Sequence, residues 1–401
     1  MSERKYAREN HGSDYSIHLK QEVNMKLKFN NGKFKILLFG DIHEHTDYKT
    51  NPAFKDMQKL MIAALEEYKP DLCVLLGDNC NTDCIAESPA QFEEMLRAVV
   101  APITERGIPF AAVLGNHEHD HGHEDEIVAI YEKIENCLTR NDAPAEITGN
   151  ANFKELIYSS DGEKPVFCLW FIDSNNCHEN REISHYDFVH EDQIEWFEAE
   201  CAKLKELNGG VPMPSFVFQH TPVPEEYNLL RKAKIWELPV AVRGYNTKKD
   251  TWYVGKDGVA DVVGEGPCSP DVNSGQFESW KKVGGIFGAF FGHDHLNDFS
   301  GWTDGIFLAQ HRTAGFRAYT DGCRSCVRLV TIDEKNPEKF THELKRFKQF
   351  GLKSESLGPI LRNFTDRQSL FMHIAGYTAG GIAGAAAIGL LIKHLITKHG
   401  G

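Results

Sequence analysis

Five short apolar stretches punctuate the chain, and each gives way abruptly to polar residues: Lys33–Phe39 before Gly40, Asp71–Leu76 before Gly77, Phe110–Leu114 before Gly115, Ser215–Phe218 before Gln219, and Gly288–Phe291 before Gly292. Continuous apolar runs of this length suit strands covered on both faces, and a terminal glycine permits a sharp turn out of the sheet. Between the runs the period changes. Phe54, Met57, Met61, Ala64, Leu65 and Tyr68 recur at spacings of three and four, which predicts a helix with one buried face. A second helix is predicted through Ile194, Phe197, Cys201, Leu204 and Leu207, opening with Glu191-Asp192 at its positive end and stopping at Gly209-Gly210. Strand and helix thus alternate through the first 220 residues, the signature of an α/β protein with parallel strands. No internal repeat is present.

The residues just beyond the runs carry the chemistry: Asp41-x-His43, Asp78, Asn116-His117, His220 and His293-x-His295. Carboxylate oxygen, amide oxygen and imidazole nitrogen suit zinc, manganese or iron, and no cysteine stands at a ligand position to draw the choice toward thiolate. Such a set favours catalysis over a structural site. One carboxylate can bridge two ions, and two ions ~3.5–4 Å apart can clamp a phosphate and activate water for in-line attack. Two aspartates offset only half the charge of two divalent ions, so the site keeps a surplus that attracts an anion.

These five blocks resemble those of the calcineurin-like metallophosphoesterases, over roughly residues 33–332. The resemblance implies a four-layer α/β/β/α sandwich with its metals at the C-terminal ends of the strands, and hydrolysis of phosphate monoesters by a metal-bridging hydroxide. It implies Asp41, His43 and His295 as ligands of one ion, Asp78 as the bridge, and Asn116, His220 and His293 as ligands of the other. His117 resembles the catalytic histidine beside the leaving group. Arg312 stands where a guanidinium would grip phosphate, and its neighbour His311 replaces what is usually glycine. A finer similarity, carried by His293–Phe299, Pro270–Gly275 and Arg312–Phe316, is to the purple-acid-phosphatase-like branch. True purple enzymes have a tyrosine three residues after the bridging aspartate; Asn81 is there instead, so neither the chromophore nor obligate ferric iron is implied. Family members build substrate-facing loops from the part corresponding to 221–287, where Tyr227, Arg243, Tyr245, Trp252 and Tyr253 are either substrate contacts or ordinary packing and surface residues. Two alternatives stay open: a phosphodiesterase acting on a nucleotide or a phospholipid head group, and a catalytically silent scaffold that binds a protein.

Composition narrows the partners. A formal charge of −14 argues against extended binding to nucleic acid. Ten cysteines and an N-terminus without an apolar signal segment read as reduced thiols in a cytoplasmic protein; the pairs Cys80/Cys84 and Cys323/Cys326 are alternatives as a redox switch or metal clip. His119, His121 and His123 read as a solvated loop, with a third metal site as the alternative. Residues 1–25 read as a polar arm, 26–350 as the catalytic domain and 351–370 as a linker. Within 371–397 lies a stretch, 371–392, without Asp, Glu, Lys or Arg, bearing Gly376, Gly380 and Gly384 as a GxxxGxxxG stripe. As a helix it would reach ~33 Å, enough for a bilayer core. It is expected either to associate with membrane, by spanning or by oligomeric insertion, or to dock on a soluble surface.

Overall fold

The computed structural model describes residues 26–358, except 321, and scattered positions between 375 and 390. The first half of the chain forms β1 (Lys33–Phe39), α1 (Pro52–Tyr68), β2 (Leu72–Leu75), α2 (Pro89–Thr104), β3 (Phe110–Ala112), α3 (Glu124–Tyr131), β4 (Phe153–Tyr158), β5 (Pro165–Phe171), α4 (Glu191–Leu207) and β6 (Ser215–Gln219). There follow β7 (Leu230–Lys232), β8 (Val242–Arg243), β9 (Trp252–Gly255), α5 (Gln276–Val283), β10 (Ile286–Phe291), β11 (Ser300–Thr303), β12 (Ile306–Gln310), β13 (Cys326–Asp333) and β14 (Thr341–Arg346). One sheet has the order β14-β13-β1-β2-β3, a second β11-β12-β10-β6-β5-β4, and a small third β7-β9-β8. Strands β1 to β3 are mutually parallel, as are β5, β6, β10 and β12. Antiparallel strands border both groups.

Alternation along the strands makes the layers. In β1, Phe34, Ile36 and Leu38 enter the core between the two large sheets with Phe216, Phe218 and Phe290. Leu37 and Phe39 point the other way, onto Met57, Leu60, Met61 and Ala64 of α1. Likewise Leu169 and Phe171 of β5 face inward, while Cys168 and Trp170 face Trp196 and Phe197 of α4. Each sheet is therefore buried on both faces, which is why its strands read as unbroken apolar runs. The result is the expected α/β/β/α sandwich. A ladder of phenylalanines ties four strands of the second sheet together: Phe153 on Phe171 (ring centroids 4.4 Å apart), Phe171 on Phe218 (5.3 Å) and Phe218 on Phe290 (5.4 Å).

Helix α1 begins where Asn51 Oδ1 accepts the Ala53 N–H at 2.9 Å with Pro52 at its first position, and ends at Lys69 in the left-handed region. The face predicted for α4 stops at Leu204; Leu207 is exposed. The arm expected over 1–25 lies outside the described residues, as do residues 359–370 of the expected linker. The positions described between 375 and 390 are helical and exposed, Ile382, Ile388 and Leu390 among them. Among the described residues no helix is long and apolar enough to cross a membrane, so the spanning anchor expected over 371–392 has no support there.

The chain after β14 is held to α1 by a buried carboxylate. Asp56 accepts bonds from the hydroxyls of Ser354 and Ser356 (2.6 Å each) and from the N–H groups of Glu355 and Ser356 (2.9 Å each). Burial works against the charge, but these donors outweigh it and hold the Asp56 carboxyl below the usual range. A group depressed on folding adds stability above its unfolded pKa and loses that contribution as pH falls through the folded one. Asp56→Asn is expected to cost ~2–3 kcal/mol near neutrality, with the gap from the parent chain closing as pH drops below ~4. Urea denaturation across pH is the check; a gap independent of pH would count against the carboxylate's role.

Candidate metal centre

Each parallel strand delivers its polar residue just past its end: Asp41 and His43 after β1, Asp78 after β2, Asn116 after β3, His220 after β6, His293 and His295 after β10. The loops brace one another through backbone bonds, Asp41 N–H to the Gly77 carbonyl (3.2 Å) and His43 N–H to the Asp78 carbonyl (2.8 Å). Four of these residues sit at positive φ: Asp41 (52°), His43 (50°), Asp78 (50°) and His293 (76°). Non-glycine residues rarely adopt this region, and it persists only where surroundings impose it.

The side chains converge. Asp41, His43 and His295 bring ligating atoms within 4.8 Å of one another, as do Asp78, His220 and His293, and as do His43, Asp78 and His117. Asp78 Oδ2 lies 3.2 Å from His220 Nε2 and 3.5 Å from His43 Nε2. Asn116 Oδ1 joins the second group at 3.2 Å from His220 Nε2, and His293 Nδ1 is 3.3 Å from the same nitrogen. Second partners fix the rings: His220 Nδ1 donates to the Leu76 carbonyl (2.7 Å) and His295 Nδ1 to the Tyr319 carbonyl (3.1 Å), so Nε2 of each is the atom turned inward. Asp41 Oδ1 accepts the His293 N–H at 2.9 Å, while Oδ2 is buried with no hydrogen-bond partner. Burial holds His43 down at about 3 and His295 at about 4, and lowers His293 well below its usual value. These three imidazoles are neutral at physiological pH. For His220 burial also lowers the value, but Asp78 outweighs it and raises His220 to about 10. The same partner holds Asp78 well below the carboxylate range despite its burial.

His117 stands on the open side, its side chain 48% exposed, with Nδ1 2.6 Å from Asp120 Oδ2 and its ring edge-on to His43. Its backbone N–H donates to Asp78 Oδ1 at 2.9 Å. Burial lowers its pKa, and Asp78 with Asp120 more than reverses that.

Arg312 is the expected residue that the structure removes from the site. It is fully buried, its Nε donates to Asp298 Oδ2 at 3.1 Å and its Nη2 to the Leu296 carbonyl, so it braces the loop after His295 instead of facing a ligand. Of the aromatic candidates in 221–287, Tyr245 alone approaches, its ring 5.8 Å from Tyr186; Tyr227 and Tyr253 pack on each other, and Arg243 and Trp252 are exposed. His119 is not solvated: it lies between Asp173 (2.8 Å) and Glu124 (3.2 Å). His121 and His123 pair with Asp83 and Glu126. None of the ten cysteines, all of which lie among the described residues, forms a disulfide.

Sequence reasoning missed four neighbours. Glu118 accepts the N–H groups of Asp78, Asn79 and Gly115, each at 2.8 Å. Asp120 partners His117 from three residues further along the same turn. Tyr186 stands edge-on to His293 and Tyr319 lies flat on His295, each with centroids 4.2 Å apart. Glu118 and Asp120 could have been found from their spacing to Asn116-His117; the tyrosines arrive from distant loops with no local signal.

The description calcineurin-like phosphoesterase matches residues 34–297, and the chain belongs to that family. Its curated relatives fit the purple-acid-phosphatase-like branch. It is 27% identical over 334 residues to "Probable inactive purple acid phosphatase 28" of Arabidopsis thaliana, covering 76% of each chain. It is 26% identical over 284 residues to "Phosphatase DCR2" of Saccharomyces cerevisiae, covering 67% of this chain and 45% of that one. Among solved structures, a dimetal phosphatase from Danio rerio aligns with 78% of this chain and 99% of its own, at 12% identity and a TM-score of 0.43.

Gly115 and Gly292, which precede candidate ligands, matter for closeness and not for turning, since neither lies at positive φ as Gly77 does (89°). A Cβ on Gly115 would lie 2.2 Å from Asp78 Oδ1, and one on Gly292 would lie 2.6 Å from the Leu76 carbonyl and 3.0 Å from Asp41 Oδ2. Gly115→Ala is therefore expected to destabilise the protein by ~2 kcal/mol or more. Thermal unfolding without any change in midpoint would show that the Asp78 loop yields freely.

Proposed function

We propose that this chain is a phosphoesterase that hydrolyses phosphate monoesters with two transition-metal ions held by Asp41, His43, Asp78, Asn116, His220, His293 and His295. The observation that carries the reading is the position of Asp78 Oδ2, which faces a histidine from each group of ligating atoms. The donor set fits a cation pair: inward Nε2 atoms on His220 and His295, where a cation would displace the proton that His220 shares with Asp78, three neutral imidazoles, and a buried oxygen on Asp41 with no partner among the described residues. Zinc, manganese and iron all accept such ligands. When bound, the ions supply the Lewis acidity that makes a nucleophile from water at neutral pH and neutralises the phosphoryl oxygens.

The chain's own residues position and protonate. His117, oriented by Asp120, holds a proton on its exposed side, where a departing alkoxide needs one. Tyr186 and Tyr319 wall the two outer histidines and limit the approach to the face that His117 borders. Asn81 is occupied with the Glu44 carbonyl and the Asp83 N–H, so no phenolate stands at the purple position. The silent-scaffold alternative gains from the word "inactive" in the name of the Arabidopsis relative. The full set of ligating side chains and His117 weighs against it. A diester substrate uses the same residues, and comparing turnover of a generic monoester with its diester analogue separates the two.

Two expectations follow from the shared carboxylate and the exposed imidazole. The purified protein carries about two transition-metal ions; Asp78→Ala loses both, and His220→Ala weakens one preferentially. Elemental analysis that finds a full complement in the Asp78 variant defeats the bridge. His117→Ala keeps its metals and loses turnover by ~10²–10⁴-fold, most for esters with poor leaving groups. An equal loss for activated and unactivated esters argues against proton donation by His117.

A further inference from the structure

The excursion from β7 to β9 carries an apolar tip that no side chain among the described residues covers. Between β7 and β8 a single 3₁₀ turn, Ile235–Val240, leaves Ile235 80%, Trp236 71%, Val240 51% and Leu238 41% exposed, and Trp252 on the neighbouring β9 is 45% exposed. Isolated apolar side chains on a surface need no explanation, but four within six consecutive residues do. The turn is also held rigid. Arg231 grips Glu237 with two bonds (2.8 and 2.7 Å), and Glu237 Oε2 accepts the Lys234 N–H at 2.7 Å, which fixes the backbone with its apolar side chains outward. That order comes from polar bonds within the excursion and not from the outward apolar side chains, so the tip is prepared in advance for a contact.

Charge identifies the occupant. Residues 230–256 carry seven basic side chains, Arg231, Lys232, Lys234, Arg243, Lys248, Lys249 and Lys256, against Glu237 and Asp250, in a chain whose formal charge is −14. Arg231 neutralises Glu237, so the excess is carried chiefly by lysines; Lys232 and Lys234, which lead directly into the tip, are exposed, as are Lys249 and Lys256 elsewhere on the excursion. Lysine is depleted at protein–protein interfaces, where arginine takes its place. An exposed tip of tryptophan and aliphatic residues led into by Lys232 and Lys234 matches the layering of a bilayer surface, with acyl chains for the apolar side chains and anionic headgroups for the ammonium groups. Tryptophan in particular favours that boundary.

We propose that the Ile235–Val240 tip docks the protein on an anionic lipid surface. The inference is independent of the metal-centre reading, although the same excursion carries Tyr245, which reaches Tyr186 beside His293.

Co-sedimentation of the full chain with phosphatidylcholine vesicles, with and without phosphatidylserine, tests it. Binding to the phosphatidylserine vesicles is expected, weakening as salt rises. Ile235→Ser/Trp236→Ser and, separately, Lys232→Glu/Lys234→Glu should each weaken it by about tenfold or more, with unchanged melting temperatures because the replaced side chains are exposed. Three results overturn the proposal. One is no preference for phosphatidylserine. Another is equal binding by both double variants, which assigns the contact to another part of the chain. The third is a vesicle-independent dimer that Ile235→Ser/Trp236→Ser converts to monomer, which makes a second copy the occupant. A fluorescence blue shift on adding vesicles, lost in Trp236→Phe, reports the same contact without relying on the double variants.

Discussion

Asp78 is the point on which the meeting of the two sheets depends. Its carboxylate is almost wholly buried, a location that would cost several kcal/mol for an unpaired charge. Partners come from both sheets: His43 and the His117 N–H from the loops after β1 and β3, and His220 from β6 across the sandwich. Its own N–H is held by Glu118, which also binds Asn79 and Gly115 and so locks the two loops around it. Gly115 has to lack a side chain for this to happen. The interaction thus sets local sequence and loop path, and fixes how the sheets register at their C-terminal edges.

A second layer of buried charge supports the first from behind. Asp294, between the two histidines of the His293-x-His295 block, accepts bonds from the Cys268 N–H, Asn297 and Gln310. Asp298 binds Arg312 and Arg346, and Arg312 reaches the Leu296 carbonyl. The block is therefore anchored at both ends, to β12 through Gln310 and to β14 through Arg346. This accounts for the burial of Arg312: a guanidinium's several donors make it a better strut between carboxylate and carbonyl than any other side chain. Removing it would loosen His295 without taking away a contact to phosphate.

What the sequence made legible follows from the range of each interaction. Strand burial on two faces and the helical period of α1 are local patterns, so the α/β alternation could be read from Lys33–Phe39 and Phe54–Tyr68, whereas the four layers came from the family resemblance. The candidate ligands could be picked out because each sits just beyond such a run. Arg312 was misread because a basic residue near a phosphate-type site has two uses, and only the position of Asp298 distinguishes them. His119 was taken for a solvated residue because its loop is polar; Asp173, from the end of β5, draws it inward. Tyr186 and Tyr319 join the site from loops far away in the chain, and no spacing to a ligand announces them. Burial of Leu207 was expected from a period that continues in sequence past the point where the sheet beneath it ends.

The left-handed residues show what the sandwich makes possible. Asp41, His43, Asp78 and His293 each hold a backbone conformation that costs ~1–3 kcal/mol for a residue with a side chain. That sum is comparable to the whole net stability of an ordinary domain. It is tolerated because the strands behind these residues are buried on both faces, and because Thr313 and Glu118 bind the loops at several points and the Gly77 carbonyl at one. A shallower sheet with one solvated face would let the loops relax toward ordinary φ, and the carboxylates and imidazoles would turn apart. The doubly covered sandwich and the convergent donor set are therefore one structural fact: the apolar core holds the polar edge in a geometry that the edge would not keep alone.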